Sequence, residues 1–597
     1  MRDSASTRRR EDDFGRASYD EARDVRFGSG GGRFGFGAGG RGLPWVFLWI
    51  VVALCVVIGR LFWLQIMQGD WLSERAEAQR TNVIRLVARR GTIYDRNGNI
   101  LAISEECYDV CCNPEQITEE TETETAQLVS AHLGGEIAAY RAIFAQKTTF
   151  AYLSKLCDKE VAEELRRDLI SSSLEGVYLY AQTRRVYPYG EVAGQIIGLT
   201  NHESEGLTGL ELQYDSYLKG TDGEMILECG LNGTPIAGGV SEVTKPVRDG
   251  QDLFLAIDID VQRAVEEYVK RGVEAAHATS GFCMVEDPTS GEVIACCSTP
   301  YADLSHQDLI TNESLALKMI SDSYEPGSIA KVLTAAIGLE SGTVDANTYY
   351  YVPISVMVGD GIVFDVDDRL EEARMNLREV LRRSSNVGAA LIAQTSIGAE
   401  VFAQGMESFG IGAPTGIDYP GEAAGLVKKL SEYDASTLGS MSFGQGFSVP
   451  MVQMVRSVGA IAAGGLMYTP HFATRLGERE LTWPEPQRAV SEVTALKVAD
   501  MMRTVVEEGT AQSAAVPGFD VAAKTGTGEI AGAGGYLKNR YLASLIGFAP
   551  AHDPKVLVYV GLNETPHLSY SSAGPVFSAI MGEALSDLGI LAQDAKA

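Results

Sequence analysis

The chain has 597 residues, room for roughly three or four domain-sized units. Its hydrophobic content of 45% supports large cores. A formal net charge of −29 argues against a nucleic-acid partner, because phosphate binding runs on clustered Lys and Arg.

Residues 1–42 are rich in Gly, Arg, Asp and Ser without apolar periodicity, which predicts a disordered tail. Leu43 to Gly59 is uncharged and mostly apolar, and Leu61 to Ile66 is apolar again beyond Arg60. Residues 43–67 are therefore expected to form one transmembrane helix. Trp45, Trp49, Trp63 and Trp71 lie in or beside it, as an aromatic belt would. The nine Arg of the tail predict a cytoplasmic N-terminus and an exterior remainder. A cleaved signal peptide is the rival reading, but the run is long and no A-x-A-like site follows.

Residues 68–90 are polar and helix-prone, like a stalk. Arg90 to Gly98 places an Asn97-Gly98 turn between apolar runs. A helical, acidic insertion is expected around 115–170. Gly206, Gly209, Glu211 and Asp215 then punctuate a turn-helix segment. A new unit begins near Asp252. Leu253 to Ile257 reads as a strand, and Asp260 is expected to cap a helix reaching about Lys270. Residues 282–297 read as a hairpin around Asp287-Pro288-Thr289-Ser290-Gly291. The apolar runs 541–548 and 555–562 flank a turn at His552-Asp553-Pro554. Strands from both ends with helices between predict a single α/β domain with a largely antiparallel sheet.

Nine cysteines contain no C-x-x-C pair, and Cys111/Cys112 and Cys296/Cys297 are adjacent, so no structural metal is expected. Cys283 and Cys296 face each other across the expected hairpin in one register, which would permit a single disulfide.

Three short signals could carry chemistry. Ser328 and Lys331 lie one turn apart at the start of an apolar helix, after Pro326-Gly327. A buried, neutral amine there can take the hydroxyl proton, and a helix start favours developing negative charge. Ser384-Ser385-Asn386 follows a basic helix around 374–383 and offers a hydroxyl and an amide. Lys524-Thr525-Gly526-Thr527 ends an apolar strand, where a substrate backbone can lie alongside and a carboxylate be held. Lys331 precedes Ser384 by 53 residues, and Ser384 precedes Lys524 by 140.

That order, S-x-x-K, S-x-N, K-T-G, resembles the penicillin-recognising serine enzymes. Tyr324 to Ser328, Ser442 to Gly446, Glu508 to Ala511, Arg90 to Gly98 and Gly206-x-x-Gly209-x-Glu211 extend the resemblance over roughly 45–585. The sequence looks like a class B penicillin-binding protein, a peptidoglycan D,D-transpeptidase of the division/septal or penicillin-binding protein 2-like type. The resemblance implies a penicillin-binding, serine β-lactamase-like transpeptidase domain over 251–590. A membrane-proximal, dimerisation-type pedestal would occupy 68–250. It implies that Ser328 attacks the penultimate D-Ala of a stem peptide, with Lys331 as base. Ser384 would relay a proton and Asn386 position the substrate amide. Lys524, Thr525, Gly526 and Thr527 would bind the terminal carboxylate, and the N–H groups of Ser328 and Thr527 would form the oxyanion hole. No cofactor or metal is implied. β-Lactams would acylate Ser328 and stay. Partners would be a polytopic glycan polymerase and small bitopic division proteins. Gly528-Glu529 departs from the Ala-Gln frequent after K-T-G-T, and the Gly-rich loop Ala531–Gly535 is a second departure. A bifunctional class A enzyme would need a glycosyltransferase domain that 85–250 is too short to hold. D,D-carboxypeptidases and β-lactamases share the motifs but do not usually carry such a pedestal. A non-catalytic β-lactam sensor or scaffold, side-wall elongation and spore-cortex synthesis are the other readings.

Overall fold

A computed structural model describes residues 43–72, 81–229, 241–367, 369–532 and 535–592. The expected tail 1–42, the middle of the expected stalk and positions 533–534 of the Gly-rich loop lie outside these residues.

Helix α1 (Leu43–Phe62) continues into a π-turn at Trp63–Met67. Trp45–Met67 is the one candidate membrane span among the described residues. Its 23 residues reach about 34 Å at helical rise, enough for the hydrocarbon core. All four tryptophans of the expected belt are exposed on or beside it.

The stalk expectation fails at its end, because Thr81–Leu86 forms strand β1. Thr, Val and Ile favour the pleated backbone over a helix. Beyond it, β2 (Ile93–Tyr94) and β3 (Ile100–Cys112) pair antiparallel around the Asn97-Gly98 turn. The insertion is helical in α2 (Glu122–Leu133), α3 (Ile137–Phe144) and α4 (Lys159–Ser171). Strand β4 (Ala151–Asp158), not expected, interrupts it and pairs with β3. Its partner lies some forty residues upstream, so local composition carried no sign of the pairing. Strand β5 (Val177–Val186) pairs along the same β3. A separate apolar cluster, with Val110, Phe144 and Leu165, sits between these strands and helices.

Arg90 ties this region together. It is 3% exposed, and its guanidinium meets Glu211 at 2.5 Å and Asp215 at 2.6 Å. It also donates to the carbonyls of Ser204 and Glu211. Arg185 takes the other Glu211 oxygen at 2.7 Å. Glu211 is fully buried, so the two guanidinium groups replace the lost hydration of its carboxylate.

Strand β6 (Leu253–Leu255) runs parallel to β2 and antiparallel to β9 (Ala473–Leu476), so one sheet joins both regions. The next helix, α5 (Ile259–Ala275), is capped by Asp258 rather than Asp260. The Asp258 carboxylate accepts from the N–H groups of Asp260 and Val261. The central sheet is antiparallel in spatial order β8 (Val293–Ser298), β7 (Ser280–Glu286), β12 (Val556–Thr565), β11 (Gly535–Ala549), β10 (Ala522–Gly532). Strands β7 and β8 are buried at every position, so both sheet faces are covered. Helices α5 and α10 (Ala573–Asp587), Met451–Ala462 and α9 (Glu492–Glu507) pack against it. Strand β10 is left at the edge.

The hairpin register overturns the disulfide expectation. Cys297, not Cys296, lies opposite Cys283, while Cys296 faces Met284. All three thiols are free and buried among apolar side chains, which pushes their pKa values up. The register slips between Val293 and Ala295, and that irregularity is not legible from residue spacing.

Arg90→Met should strand half of the buried Glu211 charge. We expect a loss of about 3 kcal/mol in urea unfolding of the detergent-solubilised chain. A loss under about 1 kcal/mol would mean that the network contributes no more than a surface pair.

Candidate active site

The turn Gly327–Ile329 leads into α6 (Ala330–Glu340), and nine of its eleven residues are buried. A helix apolar on every side belongs in a core, so Lys331 is carried inside with it. Lys331 is 1% exposed, and its Nζ lies 2.9 Å from Ser328 Oγ. It lies 2.6 Å from both the Ser384 carbonyl and Asn386 Oδ1. Both of those oxygens only accept. A neutral amine has two hydrogens, and these oxygens take both. Its lone pair is then left for the Ser328 hydroxyl. Burial pulls the Lys331 pKa down to about 7, against an opposing pull from Asp365.

Ser384 reaches this amine through an uncommon backbone. It ends α7 (Leu377–Arg383) at φ 58°, in the left-handed region. This conformation points both its carbonyl and its hydroxyl, at 3.3 Å, towards Lys331. Ser385 then caps α8 (Asn386–Ile392), which fixes Asn386 as its first residue. Sequence reasoning missed what holds this turn. Asp365 accepts from Ser385 Oγ at 2.7 Å and from the Val387 N–H at 2.9 Å. Arg369 pairs with Asp365 at 3.0 Å and donates to the Val352 carbonyl at 2.8 Å. No local motif marks Asp365; only folding brings it to the turn.

On the other side, Lys524 is fully buried on β10. Its Nζ donates to Ser384 Oγ and to the Thr525 carbonyl, each at 2.9 Å. Ser384 Oγ therefore bridges two amines. Burial, and then the neighbouring Lys331, hold the Lys524 pKa well below the ordinary lysine value. Thr510 meets Thr525 hydroxyl to hydroxyl at 3.0 Å, which gives Glu508 to Ala511 its place. Ser569, also missed, lies 3.1 Å from Thr527 Oγ1 and donates to the Gly526 carbonyl.

Close packing explains the glycines. A Cβ on Gly327 (φ +56°) would lie 2.5 Å from the Thr527 carbonyl oxygen, and one on Gly444 (φ +91°) 1.8 Å from the Gly327 carbonyl. The Thr527 carbonyl thus aims off the sheet edge at the Ser328 turn. In an extended strand the N–H of the same residue points the same way.

These residues line a cleft of about 600 Å³ that contains Ser328, Ser384, Asn386, Thr525 and Thr527. Lys331 and Lys524 lie beneath its floor, and Gly526 sits between Thr525 and Thr527. A Cβ on Gly526 would strike Ser544 Oγ at 2.5 Å. A second cavity of similar volume, lined by Arg184, Arg185 and His202, holds no serine–lysine pair. Among the described residues, no three His, Cys, Asp or Glu converge with metal-ligand geometry.

The chain matches two family models. Residues 281–582 match the penicillin-binding protein transpeptidase domain, and residues 85–255 the penicillin-binding protein dimerisation domain. It is 30% identical to a probable peptidoglycan D,D-transpeptidase, PenA, of Neisseria meningitidis, over 92% of this chain and 93% of that one. It is 28% identical to stage V sporulation protein D of Bacillus subtilis, over 92% and 86%. Its fold is similar to that of penicillin-binding protein 3 of Mycobacterium tuberculosis complexed with aztreonam. That likeness has a TM-score of 0.67 and 26% identity, over 85% of this chain and 97% of that one.

Lys331 should be competent only when neutral. The rate constant for acylation of Ser328 should rise with pH through about 7 and level off above it. Asp365→Asn removes the charge that raises the Lys331 pKa. That rise should then move to lower pH, with the plateau lowered about tenfold by the loosened turn. A lowered plateau with an unmoved limb would reduce Asp365 to a scaffold.

Proposed function

The chain belongs to the class B penicillin-binding proteins, peptidoglycan D,D-transpeptidases of cell-wall synthesis, and we propose the following roles for its residues. The terminal carboxylate of a donor stem peptide docks at Lys524, Thr525 and Thr527, and its arrival favours the charged form of Lys524. Ser328 attacks the carbonyl of the penultimate D-Ala as its proton passes to Lys331. The N–H groups of Ser328 and Thr527 hold the oxyanion, each contributing about 3 kcal/mol. Collapse breaks the peptide bond. The leaving D-Ala amine takes a proton through Ser384 Oγ, which lies within reach of both amines. Asn386 holds Lys331 and the substrate amide. An amine of a second stem then attacks the acyl-enzyme and gives its proton to Lys331, which passes it to Ser328 Oγ as the ester bond breaks. In a β-lactam the leaving group remains tethered, so the acyl-enzyme persists.

The observation that carries this reading is the Lys331 amine, stripped of solvent and 2.9 Å from Ser328 Oγ. We further infer that 43–67 anchors the chain with a cytoplasmic tail at 1–42. Residues 68–250 form the pedestal and 251–590 the transpeptidase unit outside the membrane. The N-terminal span, the one candidate among the described residues, and the modest length of the exterior part support septal division, with a polytopic glycan polymerase and small bitopic division proteins as partners. The sporulation relative makes spore-cortex synthesis the second reading.

Fluorescent penicillin should label the solubilised chain, and Ser328→Ala should abolish the label. An unlabelled parent, or an equally labelled variant, removes Ser328 from its role. Depletion in growing cells should give filaments; rounded cells, or a defect confined to spores, would overturn the septal assignment.

A further inference from the structure

The roles proposed above leave one stretch of the resemblance unused. Ser442 to Gly446 ends the short helix Thr437–Ser442 and supplies neither nucleophile, base nor carboxylate clamp. Its backbone enters the left-handed region twice, at Gly444 (φ +91°) and Gly446 (φ +76°). This loop and the strand after it run back along the segment that leads into Ser328. Tyr324 pairs antiparallel with Val449, and the Gly327 N–H donates to the Gly444 carbonyl at 3.0 Å. Between these two backbone ties, a Glu325 carboxylate oxygen accepts from the Gly446 N–H at 2.9 Å. An ionised acceptor strengthens such a bond.

The same loop also reaches the edge strand. Gln445 Nε2 donates to the Glu529 carboxylate on β10 at 2.8 Å. At the start of the loop, Thr334 Oγ1 donates to the Ser442 carbonyl at 2.7 Å. Thr334 lies on α6, the helix that follows Ser328, so the loop is anchored behind the serine as well as in front of it. Turn and strand meet directly too. A Cβ on Gly528 would lie 2.6 Å from the Glu325 carbonyl oxygen. Gly528, where the resembling enzymes often carry Ala, leaves room for this approach.

The two oxyanion donors, the N–H groups of Ser328 and Thr527, belong to separate segments, the turn and the strand. Their spacing depends on what holds those segments together, and a misplacement of about 1 Å can cost on the order of a hundredfold in rate. We propose that Glu325 is a positioning residue for acylation. By holding Gly446, it keeps the Ser442–Gly446 loop clasped to both the Ser328 turn and β10. This role rests on the transpeptidase reading above. Glu325 acts through the loop, and the oxyanion develops only as Ser328 attacks. Loss of the clasp therefore slows acylation and spares the complex that precedes it.

The test follows acylation of the full-length chain in detergent by fluorescent penicillin over a range of penicillin concentrations. The limiting rate constant and the half-saturating concentration are read separately, and neither depends on how much of a variant is folded. Glu325→Ala should lower the limiting rate constant about tenfold and leave the half-saturating concentration within about twofold of the parent. Glu325→Gln keeps an oxygen that can accept from Gly446, and should return to within about threefold of the parental rate constant. Gln445→Ala frees the loop from the strand and should also slow the limiting step about tenfold. The double variant Glu325→Ala/Gln445→Ala should lose little more than either alone, because both act through one loop. The proposal is overturned if Glu325→Ala reacts at the parental rate, or if its loss lies in the half-saturating concentration. It is also overturned if Glu325→Gln is as slow as Glu325→Ala, or if the two single losses multiply. Each of these results leaves the transpeptidase reading standing. A parent that takes no penicillin overturns that reading first, and this role with it.

Discussion

Two lysine amines placed in the protein interior set the terms for the rest of the molecule. Water would keep Lys331 protonated and useless as a base; burial lowers its pKa to about 7. Burial has requirements of its own. An amine stripped of water needs acceptors, and the Ser384 carbonyl and Asn386 Oδ1 supply them at 2.6 Å. Those acceptors must come from a different segment of chain, so the Ser384 turn has to be held against α6. The left-handed backbone of Ser384 and the Asp365–Arg369 pair beneath the turn serve this end.

The second constraint is an unpaired sheet edge. Exposed edges invite association with other chains, and proteins usually cover or charge them. Here β10 keeps one side open towards Ser328. The Gly327 turn presses so close to Thr527, and the Gly444 loop so close to Gly327, that neither glycine has room for a side chain. The open edge becomes a template for a single extended peptide, and the serine is fixed at one point along it. Direction follows from geometry alone.

Sequence reading succeeded where chemistry is local. Ser328 and Lys331 are one helical turn apart, and Lys524 to Thr527 are consecutive on one strand. The apolar span and the 282–297 hairpin follow from short-range patterning in the same way. It failed where the deciding partner is distant. Strand β4 exists because β3 offers an edge to it. The α5 cap fell to Asp258 because that carboxylate, two residues earlier, reaches the free N–H groups. The hairpin register, set by an irregularity near Val293, separated Cys283 from Cys296.

The sequence by itself determined the motif order, the membrane-spanning candidate and the family, because each is written in neighbouring residues or in their spacing. Tertiary structure alone decided which amine lies against which oxygen and that Asp365 and Ser569 belong to the site. The physical reason is that pKa values and hydrogen bonds depend on distance and on excluded water. Both are properties of the packed interior, and residues far apart in the chain build it together.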